Sequence, residues 1–187
     1  MTRKCKVCKC AFEPRLPMAS VCSMDCAKSL AVSVRGKLEK VKAVRYRKAD
    51  KIQRDKLKTR GQWLAEAQSI FNGYIRLRDQ KAGHSCISSG LALDWTGNNV
   101  DAGHYRSRGS APHLRFDERN VHAQSKKENR YASGNVTGYR VGLIARIGWD
   151  AVDALEADQA PRRYTVDDLR QIKTTYAAKA RELKARA

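Results

Sequence analysis

Between Lys28 and Arg60 the chain runs without proline and with a single glycine, Gly36. Leu30, Val34, Leu38 and Val41 keep helical spacing there, and the pattern thins after Tyr46. This predicts one long helix that buries little of its surface. Gly61 punctuates it. From Gln62 to Arg78, Trp63, Ala67, Ile70, Phe71, Tyr74 and Leu77 fall on one helical face, which predicts a core helix. A Gly- and Asn-punctuated stretch follows, in which Leu91–Trp95 and Val100–Tyr105 predict the two strands of a hairpin. Pro112–Asn120 reads as loop, Val121–Gln124 as a short strand and Lys126–Tyr131 as the start of a short helix. Beyond Gly138, Tyr139–Ile147 and Trp149–Ala157 predict two further helices. A last helix opens on the capping box Thr165-Val-Asp-Asp168 and runs through Ile172 and Tyr176. The fold class is α+β.

Charge narrows the function. The 187 residues carry 38 Lys and Arg against 19 Asp and Glu, a formal +19. Such an excess points to an anionic polymer. It is concentrated in the long helix, where thirteen cations from Lys28 to Arg60 oppose only Glu39, Asp50 and Asp55. Contact through that helix would be salt-dependent and blind to sequence. A mean hydropathy of −0.64 and no apolar run of about 18 residues exclude a spanning helix. The opening Met1-Thr2-Arg3-Lys4-Cys5 has no apolar signal core, so the expected place is a reducing cytoplasm, without a membrane partner.

In that compartment the cysteines read as ligands. Five of the six fall in two clusters, Cys5-Lys-Val-Cys8-Lys-Cys10 and Cys22-Ser-Met-Asp-Cys26. Two short Cys pairs on separate turns supply the four thiolates that tetrahedral zinc requires. Cys5, Cys8, Cys22 and Cys26 are the expected set; the spacing also permits Cys10 in place of Cys8, the two-residue spacer being the commoner first knuckle. Lys4, Lys6 and Lys9 favour thiolate. So small a module folds mainly through its metal.

The second chemical cluster lies between Asp101 and Asn129. Asp101-Ala-Gly-His104-Tyr, His113, Asn120-Val-His122 and Glu128-Asn129 place imidazoles, carboxamides and carboxylates close in sequence. An imidazole at a strand end can take a proton from water, while carboxylate and carboxamide oxygens hold a hard divalent cation against a phosphate. Arg106, Arg108, Arg115, Arg119, Lys126, Lys127 and Arg130 surround these groups and are the expected DNA contacts.

The segments Asp101-Ala-Gly-His104-Tyr105-Arg106, Ala111-Pro112-His113-Leu114-Arg115-Phe116-Asp117-Glu118-Arg119-Asn120, Ser133-Gly134-Asn135 and Tyr139-Arg140-Val141 resemble, colinearly, the NinG/Rap recombination proteins of lambdoid bacteriophages. With Cys22-Ser-Met-Asp-Cys26, the basic helix and the C-terminal helices, the resemblance covers nearly the whole chain. It implies a structure-selective DNA endonuclease with an HNH-like (ββα-metal) core, acting on Holliday junctions and D-loops in the bacterial host. His104 would be the general base, Asn120 the central Asn that orients it or binds metal, and Asn129 the third member. Asp101 and His122 would be ligands of a catalytic Mg²⁺ or similar ion. Three residues along a strand put Asp101 on the face opposite His104. Where many members carry a second pair of Cys knuckles, this chain reads Cys86-Ile-Ser-Ser89 and Ser125-Lys-Lys-Glu128, which leaves one thiol and predicts no second zinc.

The reading is therefore a zinc module (1–27), a basic helical connector (28–60), an HNH-like core (61–148) and a C-terminal helical segment (149–187). Branched DNA is the expected partner, with other phage recombination proteins beside it, and a two-fold homodimer would suit symmetric cutting. A non-catalytic DNA-binding accessory protein is the alternative, and an RNA- or ribosome-associated zinc protein is a third.

Overall fold

A computed structural model describes residues 2–186, and its internal contacts fall into two units that divide after Lys58.

The first unit opens with a ribbon of two antiparallel strands, β1 (Arg3–Lys4) and β2 (Ala11–Phe12). The turn between them is set by backbone bonds: the Cys5 amide donates to the Cys10 carbonyl (2.9 Å) and the Lys9 amide to the Cys5 carbonyl (3.1 Å). Lys9 takes φ 65° to close it. Ser23 then caps α1 (Met24–Leu57), accepting from the Cys26 amide. Asp25 in its first turn and Arg54 and Lys56 in its last suit the helix dipole. Ion pairs Glu39–Lys42 and Asp50–Arg54 at 3.3 and 2.7 Å add local support. No residue of α1 is buried. At 1.5 Å per residue its 34 residues extend about 51 Å.

The expected break at Gly61 lies two residues earlier. Lys58 is extended, and Thr59 and Gln62 close a capping box that starts the next helix, α2 (Arg60–Lys81). A side chain that satisfies the first free amides ends one helix and begins another more sharply than a glycine does. Trp63, Ala67, Phe71 and Tyr74 are buried as expected, Ile70 and Leu77 are only half-buried, and Ile75 and Asp79 join the buried set.

The second sequence difference concerns the sheet. Strand β3 (Val100–His104) pairs antiparallel with β4 (Val121–Ser125), Val100 opposite Ser125 and His104 opposite Val121. Leu91–Trp95 is not its partner. There Asp94 accepts from the Thr96 amide and hydroxyl and from Asn99, and Gly97 takes φ 58°, so side-chain bonds fold the segment into a turn. The outer edge of β4 is closed by side chains and loop: Asp79 accepts from the Ala123 amide, Arg78 donates to the Val121 carbonyl and Ile87 donates to Ala123.

Helices α3 (Val136–Ile147), α4 (Trp149–Ala157) and α5 (Val166–Ala185) complete the unit. Two cores result. Trp63, Phe71, Tyr74, Phe116, Tyr164 and Leu169 pack α2 against α5, and Ile87, Leu114, Tyr139, Leu143, Val152 and Leu155 pack α3 and α4 beside the sheet. Gly138 and Gly142 bring α3 against the loop at Ser88 and Ile87; a Cβ at Gly142 would lie 1.9 Å from the Ile87 carbonyl oxygen. That loop closes as the first turn did, with Cys86 N–H to Leu91 O at 2.8 Å, Gly90 N–H to Cys86 O at 2.9 Å, and Gly90 at φ 71°.

Candidate functional site

The sulfur atoms of Cys5, Cys8, Cys22 and Cys26 all lie within 4.8 Å of one another, the only such metal-ligating group among the described residues. Cys8 and Cys22 are 3.4 Å apart and Cys22 and Cys26 3.7 Å. A tetrahedron with Zn–S bonds of about 2.3 Å has edges of about 3.8 Å, so the donor set fits zinc; a disulfide would need about 2.0 Å. The choice between Cys8 and Cys10 falls to Cys8, since Cys10 turns its thiol toward the Cys8 carbonyl. Burial pushes the Cys5 thiol up, but the amides of Val7, Cys8 and Cys22 outweigh it and bring it to about 6. Hydrogen bonding with Cys8 and Cys26 drives the Cys22 thiol up to about 12.

In the second unit, a cavity of about 350 Å³ opens beside the sheet, and Asp101, His104, Asn129 and Arg130 line it together with Asn72, Arg76 and Arg108. Asp101 and His104 therefore share one site, against the alternation of a strand. His104 is the last residue of β3, where the chain bends away, and alternation ends there. The His104 Nε2 lies 3.2 Å from the Arg115 carbonyl. A carbonyl only accepts, so Nε2 carries the proton in the neutral ring; the Ala102 carbonyl also lies against the ring. Burial, with Arg108 and Arg115 adding positive charge, lowers the imidazole to about 4, so the ring is neutral at physiological pH. Burial pushes the Asp101 carboxyl up, and hydrogen bonds from Asn129 (3.0 Å) and Arg130 (2.9 Å) overcome that and keep it ionised. Because Asn129 spends its amide nitrogen on Asp101, its oxygen stays available.

Asn120 is fully buried, and all its polar atoms are used. It accepts from the Arg106 amide (2.8 Å) and donates to the carbonyls of Arg106 (3.0 Å) and Leu114 (3.1 Å). It does not line the cavity, and it pins the loop that leaves His104. His122 is placed elsewhere. Its Nε2 donates to the Arg119 carbonyl and its Nδ1 accepts from Arg78, inside a buried network with Asp79 and Arg146. Burial pushes Asp79 up, yet Arg78 and the Ala123 amide hold it far below the carboxylate range. His122 is thus an interior group and no ligand beside Asp101.

The expected DNA contacts divide as well. Arg106 donates to the carbonyls of Leu155, Glu156 and Asp158 and so caps the end of α4. Arg115 reaches Gln68, Arg119 forks onto Asp117, and Arg130 holds Asp101. Arg108 and Lys127 stay exposed, and Lys126 is half-buried. Asn72 and Arg76 escaped the sequence reading because they sit within a helix whose pattern reads as core. Their one signal was polarity at i and i+4 in an apolar stripe.

No helix among the described residues is long and apolar enough to cross a membrane. The family model described as "NinG: Bacteriophage Lambda NinG protein" matches residues 1–186. The chain is 40% identical over 194 residues to Protein ninG of Escherichia phage 933W, covering 97% of this chain and 94% of that one. It is 37% identical over 196 residues to Protein ninG of Escherichia phage lambda (97% and 93% covered) and 38% identical over 196 residues to that of Salmonella phage P22 (97% and 94%). No solved structure matches it.

Proposed function

Because the chain belongs to the NinG family of bacteriophage proteins, we propose that it is a structure-selective DNA endonuclease, cutting branched recombination intermediates such as Holliday junctions in the cytoplasm of the bacterial host. The observation that carries this reading is one cavity holding a neutral imidazole, an ionised carboxylate and uncommitted guanidinium groups. The His104 Nδ1 takes the proton from the attacking water. Asn120 fixes the loop that follows and so the imidazole's place. The Asp101 carboxylate and the Asn129 amide oxygen would hold a Mg²⁺-like ion, which supplies positive charge for the phosphorane and the leaving oxygen. Zinc on Cys5, Cys8, Cys22 and Cys26 orders the N-terminal turn, and the cations of α1 supply phosphate contacts spread along the duplex.

A second reading, a DNA-binding accessory protein without catalysis, is favoured by one observation: the cavity offers a single carboxylate, already paired with Arg130. A labelled four-way junction and a matched duplex, incubated with or without added Mg²⁺, separate the two. The nuclease reading expects junction cutting with Mg²⁺ only, lost in His104→Ala while binding persists. Tight binding by the wild type with no cutting in any divalent metal would give the accessory reading the site.

A further inference from the structure

Six of the arginines in the second unit are structural pins. Arg78 holds Asp79 and the β4 backbone, Arg106 caps α4, Arg119 forks onto Asp117, Arg130 holds Asp101, Arg140 grips Glu156 and Arg146 reaches Ser85. Arg76 is different. It is half-buried on the wall of the cavity that His104 lines, and among the described residues no carboxylate or carbonyl accepts from it. A guanidinium partly withdrawn from water with no anion of its own is a cost that a bound anion would remove.

One turn earlier on α2, Asn72 faces the same cavity, and its orientation is dictated from behind. Arg115 can only donate, so Gln68 must present its oxygen there (3.3 Å). Gln68 then presents its nitrogen to Asn72, whose oxygen accepts at 2.7 Å. The Asn72 amide protons are left over, with no partner among the described residues. Residues four apart on a helix stand one above the other, so Asn72 and Arg76 together make a donor surface on the cavity that Asp101 and Asn129 also line.

We propose that Asn72 and Arg76 seat a backbone phosphate of DNA in this cavity, next to the His104 imidazole. A planar fork and an amide N–H₂ match the non-bridging oxygens of a phosphodiester. The seat rests on the nuclease reading for its catalytic consequence but not for its chemistry.

The test uses full-length protein, Arg76→Ala, Arg76→Lys and Asn72→Ala, with melting curves to verify folding. Single-turnover cutting of a four-way junction in Mg²⁺ should fall about 100-fold in Arg76→Ala, while junction affinity changes only a few-fold. Without added Mg²⁺, the slope of log affinity against log salt should fall by about 0.9, the share of one phosphate contact. Arg76→Lys should restore the slope and only part of the rate; if Arg76→Ala does not fold, Arg76→Gln, which removes the charge and keeps the polar stem, carries the test by the same readouts. Should the wild type cut and the variants cut equally well, the seat is wrong and the nuclease reading stands. Should the wild type never cut, the slope decides: a drop keeps the seat and removes the nuclease, and an unchanged slope removes both.

Discussion

The turn at Cys5–Cys10 and the loop at Cys86–Leu91 have one backbone and two chemistries. In each, the first amide donates to the carbonyl five residues on, the amide of the fifth residue returns to the first carbonyl, and that fifth residue has positive φ, Lys9 in one and Gly90 in the other. The sulfurs match too. The Cys5 thiol draws on the amides of Val7, Cys8 and Cys22, and the Cys86 thiol on those of Ser88, Ser89 and Ser125. What differs is the remainder of the donor set. Cys8, Cys22 and Cys26 complete the first, whereas Ser89, Ser125 and Glu128 stand around the second, with the Ser125 hydroxyl accepting from the Glu128 amide (3.2 Å) and Glu128 turned to Asn135 (2.6 Å). A knuckle-shaped backbone therefore does not by itself require a metal. It requires something to hold it. Among the described residues of the first unit no side chain but Cys5 is buried, while Ile87 sits in a core with Tyr139 and Leu143.

The difference predicts how each region fails. Cys22→Ser, or a strong chelator, should release zinc and unfold the N-terminal turn, with a loss on the order of 10 kcal/mol of metal-linked folding energy; zinc analysis should drop from one ion per chain to none, and the second unit should melt unchanged. Conversion of the second loop should work in the opposite direction. Ser89→Cys, Ser125→Cys and Glu128→Cys together should raise the zinc content to two per chain and stabilise the second unit by about 4 kcal/mol in excess zinc. A stoichiometry still at one would show that the shared backbone is coincidence.

Acid should strain both regions for different reasons. Protons compete with metal for the first unit's thiolates. In the second unit, His104 is lowered to about 4 and His122 is lowered too, so the unfolded chain binds more protons between about 4 and 6.5. The stability these neutral rings contribute is whole above pH 6.5 and is lost as the pH falls through the folded values, by at most about 3 kcal/mol for His104. Urea melts at pH 7 and pH 5 should show it, and His104→Gln should flatten the dependence. The smallest effect belongs to Cys86→Ala. It removes a buried acceptor of the Ser125 amide (3.3 Å) and should cost about 1 kcal/mol, read as a shift of a few degrees in the second unit's melting temperature without change in zinc.

Periodicity made much of this legible. The apolar stripe of α2, the capping box at Thr165 and the spacing of Cys5, Cys8, Cys22 and Cys26 are local patterns with local causes, and each is found where it was expected. The misses share a different origin. Val100–His104 chose a strand twenty residues away over its neighbour because Asp94 could fold Leu91–Asn99 into a turn with its own side chain, a competition that alternation does not register. Arg106 and His122 carry the residue types of a phosphate and a metal site. The bonds that claim them come from Leu155, Asp158, Arg78 and Arg119, most of them distant in sequence. Arg76 shows the reverse: a charge inside a core helix reads as surface until its neighbours are seen to leave it unclaimed.

The close approach of α3 to the loop at Ile87 has a genetic reading. A Cβ is fixed by the backbone, so no choice of rotamer relieves the 1.9 Å clash that any other residue at 142 would make with a carbonyl oxygen, and Gly138 meets the Ser88 carbonyl in the same way at 2.3 Å. In a saturation library selected only for folding, α3 should tolerate nearly anything at its exposed Val141 and nothing but glycine at 138 and 142. Two invariant positions one helical turn apart, with a freely varying residue beside them, would be the fingerprint of a helix docked through its backbone.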